Sequence, residues 1–349
     1  MIFMLVLMLA NGLDNHYMND SLNPDMFVLG AVGAIVVSAG LSRGTNSGYR
    51  GALLAVTTAQ VVGEGLFWLG GHLELTALQR GSEVVMRVVD ARVLVIRYIA
   101  DTVNTRRQTH WIAMCMCSEA LGVAVSFLMQ LYAGLLQSML WLFLLLVAFG
   151  FEDIKRGVSS PAKHQGRSIR ATGLCLWILF LSNLLAEAFF PFRLLHQITS
   201  TTWLLFLAIA ALLFLFGFVT MHVKNRVCVL VAFFVGTLSL VLESVRRAGY
   251  PEWVVMLTMH LTNTISITFL VKKLPLRQAE GFWNSGWLTV LMVQLGELAV
   301  HWVDLALGTT DAESREFVWA ATGLSLLTCA VIMSTWKTLD FQLVKGKSF

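Results

Sequence analysis

Apolar runs of about twenty residues recur from one end of the chain to the other, and they constrain the fold more than any other feature. A helix rises 1.5 Å per residue, so such a run matches the roughly 30 Å hydrocarbon core of a bilayer. Of the 349 residues, 57% are hydrophobic and 13% are charged, whereas soluble domains carry about 25% charge. The sequence therefore predicts an integral membrane protein, an all-α polytopic transmembrane helical bundle.

The apolar runs define about eleven predicted spans. Their approximate limits are 27–42, 51–71, 83–103, 109–132, 134–151, 171–191, 201–222, 227–245, 253–271, 284–306 and 317–336. We place the N-terminal end of the first span on the non-cytoplasmic side and let the spans alternate. The cytoplasmic loops and tail then contain 17 of the 25 Lys and Arg residues, and the loops of the other side contain 5. Because cytoplasmic loops are enriched in Lys and Arg, we predict an N-out, C-in orientation.

Five segments organise the chain. Residues 1–26 are predicted to be an extramembrane or interfacial segment, because the initial apolar run stops after ten residues and is too short to span. Residues 27–151 are expected to form a first half of five spans, and residues 171–336 a second half of six. A basic cytoplasmic loop, residues 152–170, joins the halves, and residues 337–349 are predicted to be a cytoplasmic tail.

A glutamate recurs in every second predicted span, always on helices that run in the same direction. The five are Glu64, Glu119, Glu187, Glu243 and Glu297, with intervals of 55, 68, 56 and 54 residues. These intervals fit a repeated two-helix unit. An ionised carboxylate at a helix centre costs about 2.5 to 3.5 kcal/mol on insertion. The deeper glutamates, Glu64, Glu119 and Glu297, are therefore expected to face the bundle interior, where they can pair or bind protons. Glu243, which lies close to Arg246 and Arg247, is interpreted as an interfacial residue.

The tenth predicted span carries a polar stripe. Gln294, Glu297, His301 and Asp304 follow one another at helical spacing, and His260 on the preceding span is expected at a depth similar to that of His301. Three hypotheses fit. The stripe is a proton or cation path, the two histidines hold a metal or haem, or the side chains satisfy one another in a packed interior.

The third predicted span is the most charged. On a continuous helix, Arg87, Asp90, Arg97 and Asp101 would share one face, and Arg92 would point away. The spacing favours pairing of Arg87 with Asp90 and of Arg97 with Asp101. Three interpretations fit these charges: they line a permeation path, they are counterions for the glutamates of neighbouring spans, or they form a structural ion-pair network.

Several other features narrow the function. The sequence has no phosphate-binding glycine loop, no H-E-x-x-H motif and no nucleophile elbow. It also lacks a basic patch interleaved with aromatics, so nucleic acid is not an expected partner. The five cysteines lie in apolar runs, which is typical of small buried fillers. Glycines inside spans, Gly30, Gly33, Gly63 and Gly65, predict close helix packing.

The leading prediction is a multi-pass transporter or channel that moves protons or small cations. Its path would be lined by Glu297, His301 and Asp304, with help from His260, Glu64 and Glu119. The alternative is a non-catalytic structural subunit of a large membrane complex, favoured by short loops and by spans without an internal proline. A membrane enzyme is a third, weaker hypothesis. Expected partners are bound lipids, further copies of the chain or other membrane subunits, and no cofactor is predicted beyond the metal or haem already considered.

Overall fold

The computed structural model describes residues 1–19, 24–45, 48–104, 107–129, 132–152, 169–189, 202–222, 227, 231, 233–238, 241, 252–273, 285–307 and 315–334. Its helices are α1 (Ile2–Asn19), α2 (Pro24–Gly44), α3 (Tyr49–His72), α4 (Thr76–Val88), α5 (Arg92–Thr102), α6 (Gln108–Met129), α7 (Ala133–Phe149), α8 (Ile169–Phe189), α9 (Thr202–His222), α10 (Glu252–Lys273), α11 (Ser285–Leu307) and α12 (Arg315–Ser334). The described residues between α9 and α10 are also helical.

Helical structure coincides with each of the eleven predicted spans, so the predicted all-α bundle is confirmed. Two of the helices, α3 and α6, are long and apolar enough by themselves to cross a membrane. The basic segment 153–168 and the tail from residue 335 lie outside the described residues. Their assignment to the cytoplasmic side stays a prediction.

The N-terminal segment requires a correction. Instead of lying outside the bundle, residues Ile2–Asn19 form the helix α1, which packs along α6 and α7. Met4 and Leu7 are fully buried and Met8 is 2% exposed, because this apolar face lies against the neighbouring helices. A helix of 18 residues is about 27 Å long. The cytoplasmic or outer side of each loop was predicted from the Lys and Arg residues between the eleven spans, without α1, so α1 does not change it. The N-out orientation stays a prediction.

The third predicted span is also corrected, because it is not one continuous helix. It is divided into α4 and α5, which are separated by Val89, Asp90 and Ala91. Val89 has backbone angles of −105° and 90°, outside the helical region. The charged side chains of this span therefore do not follow the single helical face that the sequence predicted.

The helices form two halves that meet along a shared face. In the first half, α1 packs on α6, and α3 packs on α4 and α7. In the second half, α8 packs on α10 and α11. The halves contact each other through α6 against α9 and α10, and through α2 and α5 against α11. Side chains on α5, α6, α10 and α11 are therefore placed where the two halves meet.

Glycines allow the closest helix contacts, as the sequence predicted. A Cβ on Gly30, Gly33 or Gly63 would lie 2.6, 2.5 or 2.4 Å from a side chain of α4, whereas Gly65 has nothing within 4 Å. The packing of α1 on α6 brings backbone even closer: a Cβ on Gly122 would lie 2.2 Å from the carbonyl oxygen of Leu9 in α1. The packing of α1 on α6 therefore requires glycine at this position.

Substitution of Gly122 by leucine should strongly destabilise the bundle. Backbone atoms of α1 occupy the space that the new side chain needs, and overpacking a tight contact costs about 1–3 kcal/mol or more. Gly65→Leu is the control, since it adds the same side chain to α3 where space is open. Thermal unfolding in detergent micelles measures both. Equal melting temperatures for the two variants would contradict the close packing of α1.

Candidate functional site

A buried ionic cluster lies where α1, α5 and α6 meet. Arg92 Nε donates to Glu119 Oε1 at 3.0 Å, and Asn11 Nδ2 donates to the same oxygen at 2.8 Å. Asp90 Oδ1 lies 3.7 Å from Arg92 Nε. The side chains of Arg92, Asp90 and Glu119 are 14%, 7% and 9% exposed. Glu119, which the sequence identified as a deep glutamate, is therefore held by a cation and an amide.

The cluster joins one guanidinium to two carboxylates. Asp90 has a further structural task, because its Oδ1 accepts the backbone N–H of Arg92 at 2.8 Å and so caps the start of α5. When both carboxylates are ionised, the three side chains carry a net charge of −1.

The second half contributes a histidine to this region. His260 on α10 is partly buried. Helix α10 contacts both α5, which carries Arg92, and α6, which carries Glu119. The helices of the cluster are therefore packed against a helix of the second half, a placement that the sequence pattern did not contain.

A second ion pair bridges the two halves directly. Arg87 Nη2 on α4 donates to Glu297 Oε2 on α11 at 2.8 Å, and the two side chains are 11% and 12% exposed. Gln294 Nε2 lies 3.5 Å from the other Glu297 oxygen. In the described contacts, Glu297 pairs with one cation, Arg87, whereas Arg92 contacts two carboxylates, Asp90 and Glu119.

The third pair lies farther along α5. Arg97 Nε and Asp101 Oδ2 are 3.4 Å apart, which confirms the pairing that their spacing predicted. The hydroxyl of Tyr49 on α3 donates to the same carboxylate oxygen. Arg97 is 2% exposed, and the hydrogen bond from Tyr49 ties this buried pair on α5 to α3 inside the first half.

Glu64 occupies a different place from Glu119. It accepts a hydrogen bond from Ser138 on α7 at 2.8 Å, and it lines a small cavity with Trp68, Glu83 and Met86. All these residues belong to α3, α4 and α7 of the first half. The structure therefore separates Glu64 from the ionic cluster at the face between the halves.

Other residues of the predicted path are described in part. His301 is on α11 and partly buried. Asp304 is on the same helix and Glu187 is on α8, but their side chains lie outside the described residues, as does all of Glu243. The participation of Asp304 and His301 in a path therefore stays a prediction.

The metal hypothesis finds no supporting cluster in the described part of the chain. There, no group of three or more His, Cys, Asp or Glu side chains is arranged to hold a metal ion. A metal or haem between His260 and His301 stays a prediction.

The sequence analysis missed two polar features. Asn11 was assigned to a peripheral segment, yet it contacts Glu119. In the second half, Asn263 on α10 and Asn183 on α8 form a pair, with Asn263 Nδ2 donating to Asn183 Oδ1 at 2.7 Å, and Ser182 also donates to Asn263. The available signal was the presence of amide side chains in apolar runs, where unsatisfied polar groups are costly.

No family model matches the sequence, and no curated protein matches it either. Solved structures do match in fold. The human organic anion transporter MFSD10 superposes with a TM-score of 0.72 at 12% identity, covering 95% of this chain and 97% of that one. The E. coli fucose:proton symporter FucP superposes with a TM-score of 0.69 at 10% identity, covering 97% and 98%. For the proton:xylose symporter XylE, the TM-score is 0.66 at 13% identity, with 97% and 95% covered.

These identities are low, so the likeness concerns the fold. It extends over nearly the whole length of each chain, and it agrees with the two packed halves and the apolar helices described above. FucP is described as a Major Facilitator Superfamily transporter, and XylE as a proton symporter of that superfamily. The chain therefore has the transmembrane helical fold of these transporters and is an integral membrane protein.

Proposed function

We propose that this chain is a membrane transporter that moves a small solute together with a proton, and that Glu119 binds the proton. The observation that carries the proposal is the buried cluster of one arginine and two carboxylates where the halves meet. A buried site with an excess negative charge is stabilised by one proton or one small cation. Asp90 is occupied in capping α5, so Glu119 is the better acceptor.

His260 supports the same proposal from the second half. Because its helix α10 packs against α5 and α6, a change in the packing of the halves would change the surroundings of Glu119. Proton binding and movement of the halves would thus depend on each other, which is what coupled transport requires. Two of the structural neighbours, FucP and XylE, are proton symporters by description, which is in keeping with this proposal.

The roles of Glu119 and Glu297 differ in this account. Glu297 faces the single guanidinium of Arg87, so it acts as a fixed counterion that joins the halves. The proton path that the sequence centred on Glu297 and His301 is thereby moved to Glu119, with His260 on the neighbouring helix α10. Glu64 lies inside the first half and is not required for coupling.

The structural-subunit alternative has lost one of its arguments. It relied on unbroken spans, whereas the third predicted span is interrupted at Val89–Ala91 inside the bundle. Interrupted helices are common at the binding sites of transporters. No described contact favours the subunit hypothesis, and the membrane and the oligomeric partners stay predictions.

Purified protein in sealed liposomes that enclose a pH-sensitive dye tests the proposal. External fucose, xylose and an organic anion that does not cross protein-free bilayers sample the substrate classes in the names of the structural neighbours. We expect at least one class to enter with an internal acidification that a protonophore abolishes. If every class enters no faster than into protein-free liposomes, a transporter for these classes is ruled out. Entry without a pH change would remove the proton from the proposal.

A further inference from the structure

The break between α4 and α5 leaves backbone groups without their usual partners. In a continuous helix the carbonyl of Val89 would accept the N–H of Val93, and the carbonyl of Val88 would accept that of Arg92. Here the N–H of Arg92 goes to the Asp90 carboxylate instead, and Val89 N–H bonds back to Met86 in a tightened last turn. Inside a membrane such groups must find substitutes, since water is absent.

A side chain from another helix supplies a substitute. Gln60 on α3 is 1% exposed. Its Nε2 donates to the carbonyl of Met86 at 3.0 Å and to the carbonyl of Val89 at 3.2 Å. Met86 belongs to the last turn of α4, and Val89 is the first residue of the break. One amide therefore holds both the end of α4 and the start of the break.

The position of the break determines where two arginines point. Arg87 and Arg92 are five residues apart, which on an unbroken helix corresponds to a rotation of about 140°. In the structure Arg87 is the last but one residue of α4 and reaches Glu297 in the second half, whereas Arg92 begins α5 and reaches Glu119 in the first. Both pairings therefore depend on the angle between α4 and α5.

We propose that Gln60 is a positioning residue: by holding the carbonyls of Met86 and Val89 it fixes the angle between α4 and α5, and so aligns Arg87 with Glu297 and Arg92 with Glu119. Its importance for transport rests on the function proposed above. Its effect on the two ion pairs follows from geometry alone and is measurable without a substrate.

The chain provides a matched control. Gln108 is 6% exposed, and its Nε2 donates to the carbonyls of Ala100 and Val103 at the other end of α5, at 3.4 and 3.1 Å. It thus makes the same kind of double contact at a helix end, but away from the break. Methionine has nearly the same length as glutamine and cannot donate, so Gln60→Met and Gln108→Met remove equivalent contacts.

The experiment measures the coupling between Arg87 and Glu297 by a double-mutant cycle. Arg87→Met, Glu297→Met and the double variant are unfolded reversibly in mixed micelles, in the wild-type, Gln60→Met and Gln108→Met backgrounds. We expect the coupling to be about a hundredfold in the unfolding equilibrium constant in the wild type. It should fall to about twofold or less with Gln60→Met and stay at the wild-type value with Gln108→Met. If Gln60→Met does not fold, Gln60→Asn, whose shorter amide cannot reach both carbonyls, takes its place with the same expectation.

A merely structural Gln60 would lower stability as Gln108 does and would leave the coupling unchanged, and that result overturns the proposal. An equal loss of coupling in the Gln108→Met background also overturns it, because the effect would then not be specific to the break. A loss of coupling only with Gln60→Met supports the proposal, even if the wild-type protein moves no solute in liposomes. In that case the positioning role stands and the proposed function fails.

Discussion

Replacement of Glu119 by glutamine should abolish proton-driven accumulation of the transported solute and leave the protein folded. The amide keeps the shape and can still contact Asn11 and Arg92, while Asp90 remains as the counterion of Arg92. With one proton per solute, a pH gradient of one unit supports about tenfold accumulation, since one pH unit corresponds to 1.36 kcal/mol. In Glu119→Gln the ratio of internal to external solute should fall to one. Uptake of labelled solute into liposomes with an imposed pH gradient measures this.

Glu64→Gln is the matched control for this experiment. Glu64 is also a buried glutamate in an apolar helix, but it accepts a hydrogen bond from the Ser138 hydroxyl, whereas Glu119 is held by the Arg92 guanidinium. Accumulation by Glu64→Gln should therefore equal that of the wild type. If Glu119→Gln still accumulates solute tenfold, or if Glu64→Gln loses accumulation to the same extent, Glu119 is not the coupling residue.

The bond between Arg87 and Glu297 should dominate the stability of the contact between the halves. Arg87→Met removes the guanidinium and leaves the Glu297 carboxylate buried without its cation, which typically costs about 3–5 kcal/mol. The double variant with Glu297→Met removes both charges, so it should recover most of this loss and lie within about 1 kcal/mol of the wild type. The free energy of unfolding in mixed micelles measures all three variants.

Exposed charges give the control for that result. Arg43, at the end of α2, is exposed, and Arg43→Met should change the unfolding free energy by about 0.5 kcal/mol or less. Two results would show that the pair does not bridge the halves. One is a change in unfolding free energy for Arg87→Met as small as that for Arg43→Met. The other is a loss for the double variant equal to the sum of the losses for the two single variants.

The membrane fold could be predicted from the sequence because its cause is local. An apolar run of about twenty residues is stable in a bilayer as a helix, and the described residues of every run are mainly helical. The N-terminal helix was missed because its apolar run is short and the helix continues through Asp14, Asn15 and His16. Its membership in the bundle depends on Met4 and Leu7 packing against α6, and such a contact leaves little trace in one sequence.

The break in the third span was not predictable from local signals. No proline or glycine lies between Arg87 and Arg92, and such residues are the usual markers. The interruption is instead accommodated by Asp90, which caps the next helix, and by Gln60, which lies on another helix 26 residues before Met86. A pattern analysis that assumed a continuous helix therefore placed Arg92 on the wrong face, away from the charges with which it pairs.

The candidate site could be predicted in its members but not in its pairings. The cost of burying a carboxylate identified Glu119 and Glu297, and the spacing along α5 identified the Arg97–Asp101 pair. The sequence did not show that Arg87 and Arg92 are the partners of the two glutamates. Each arginine lies on a different helix from its glutamate, and packing sets how that helix is rotated. Only the three-dimensional arrangement distinguishes the pair of Glu297 with Arg87 from the cluster at Glu119.

Infrared difference spectroscopy of the protein in lipid, titrated with acid, tests the assignment of the proton to Glu119 most directly and requires no solute. The carbonyl stretch of a protonated carboxyl group is separate from that of an ionised one, so each buried acid that binds a proton contributes a band. We predict a band in the wild type that is absent in Glu119→Gln and retained in Glu64→Gln and Glu297→Gln. If the whole carbonyl-stretch spectrum of Glu119→Gln equals that of the wild type, the account is contradicted, because the proton would then reside elsewhere.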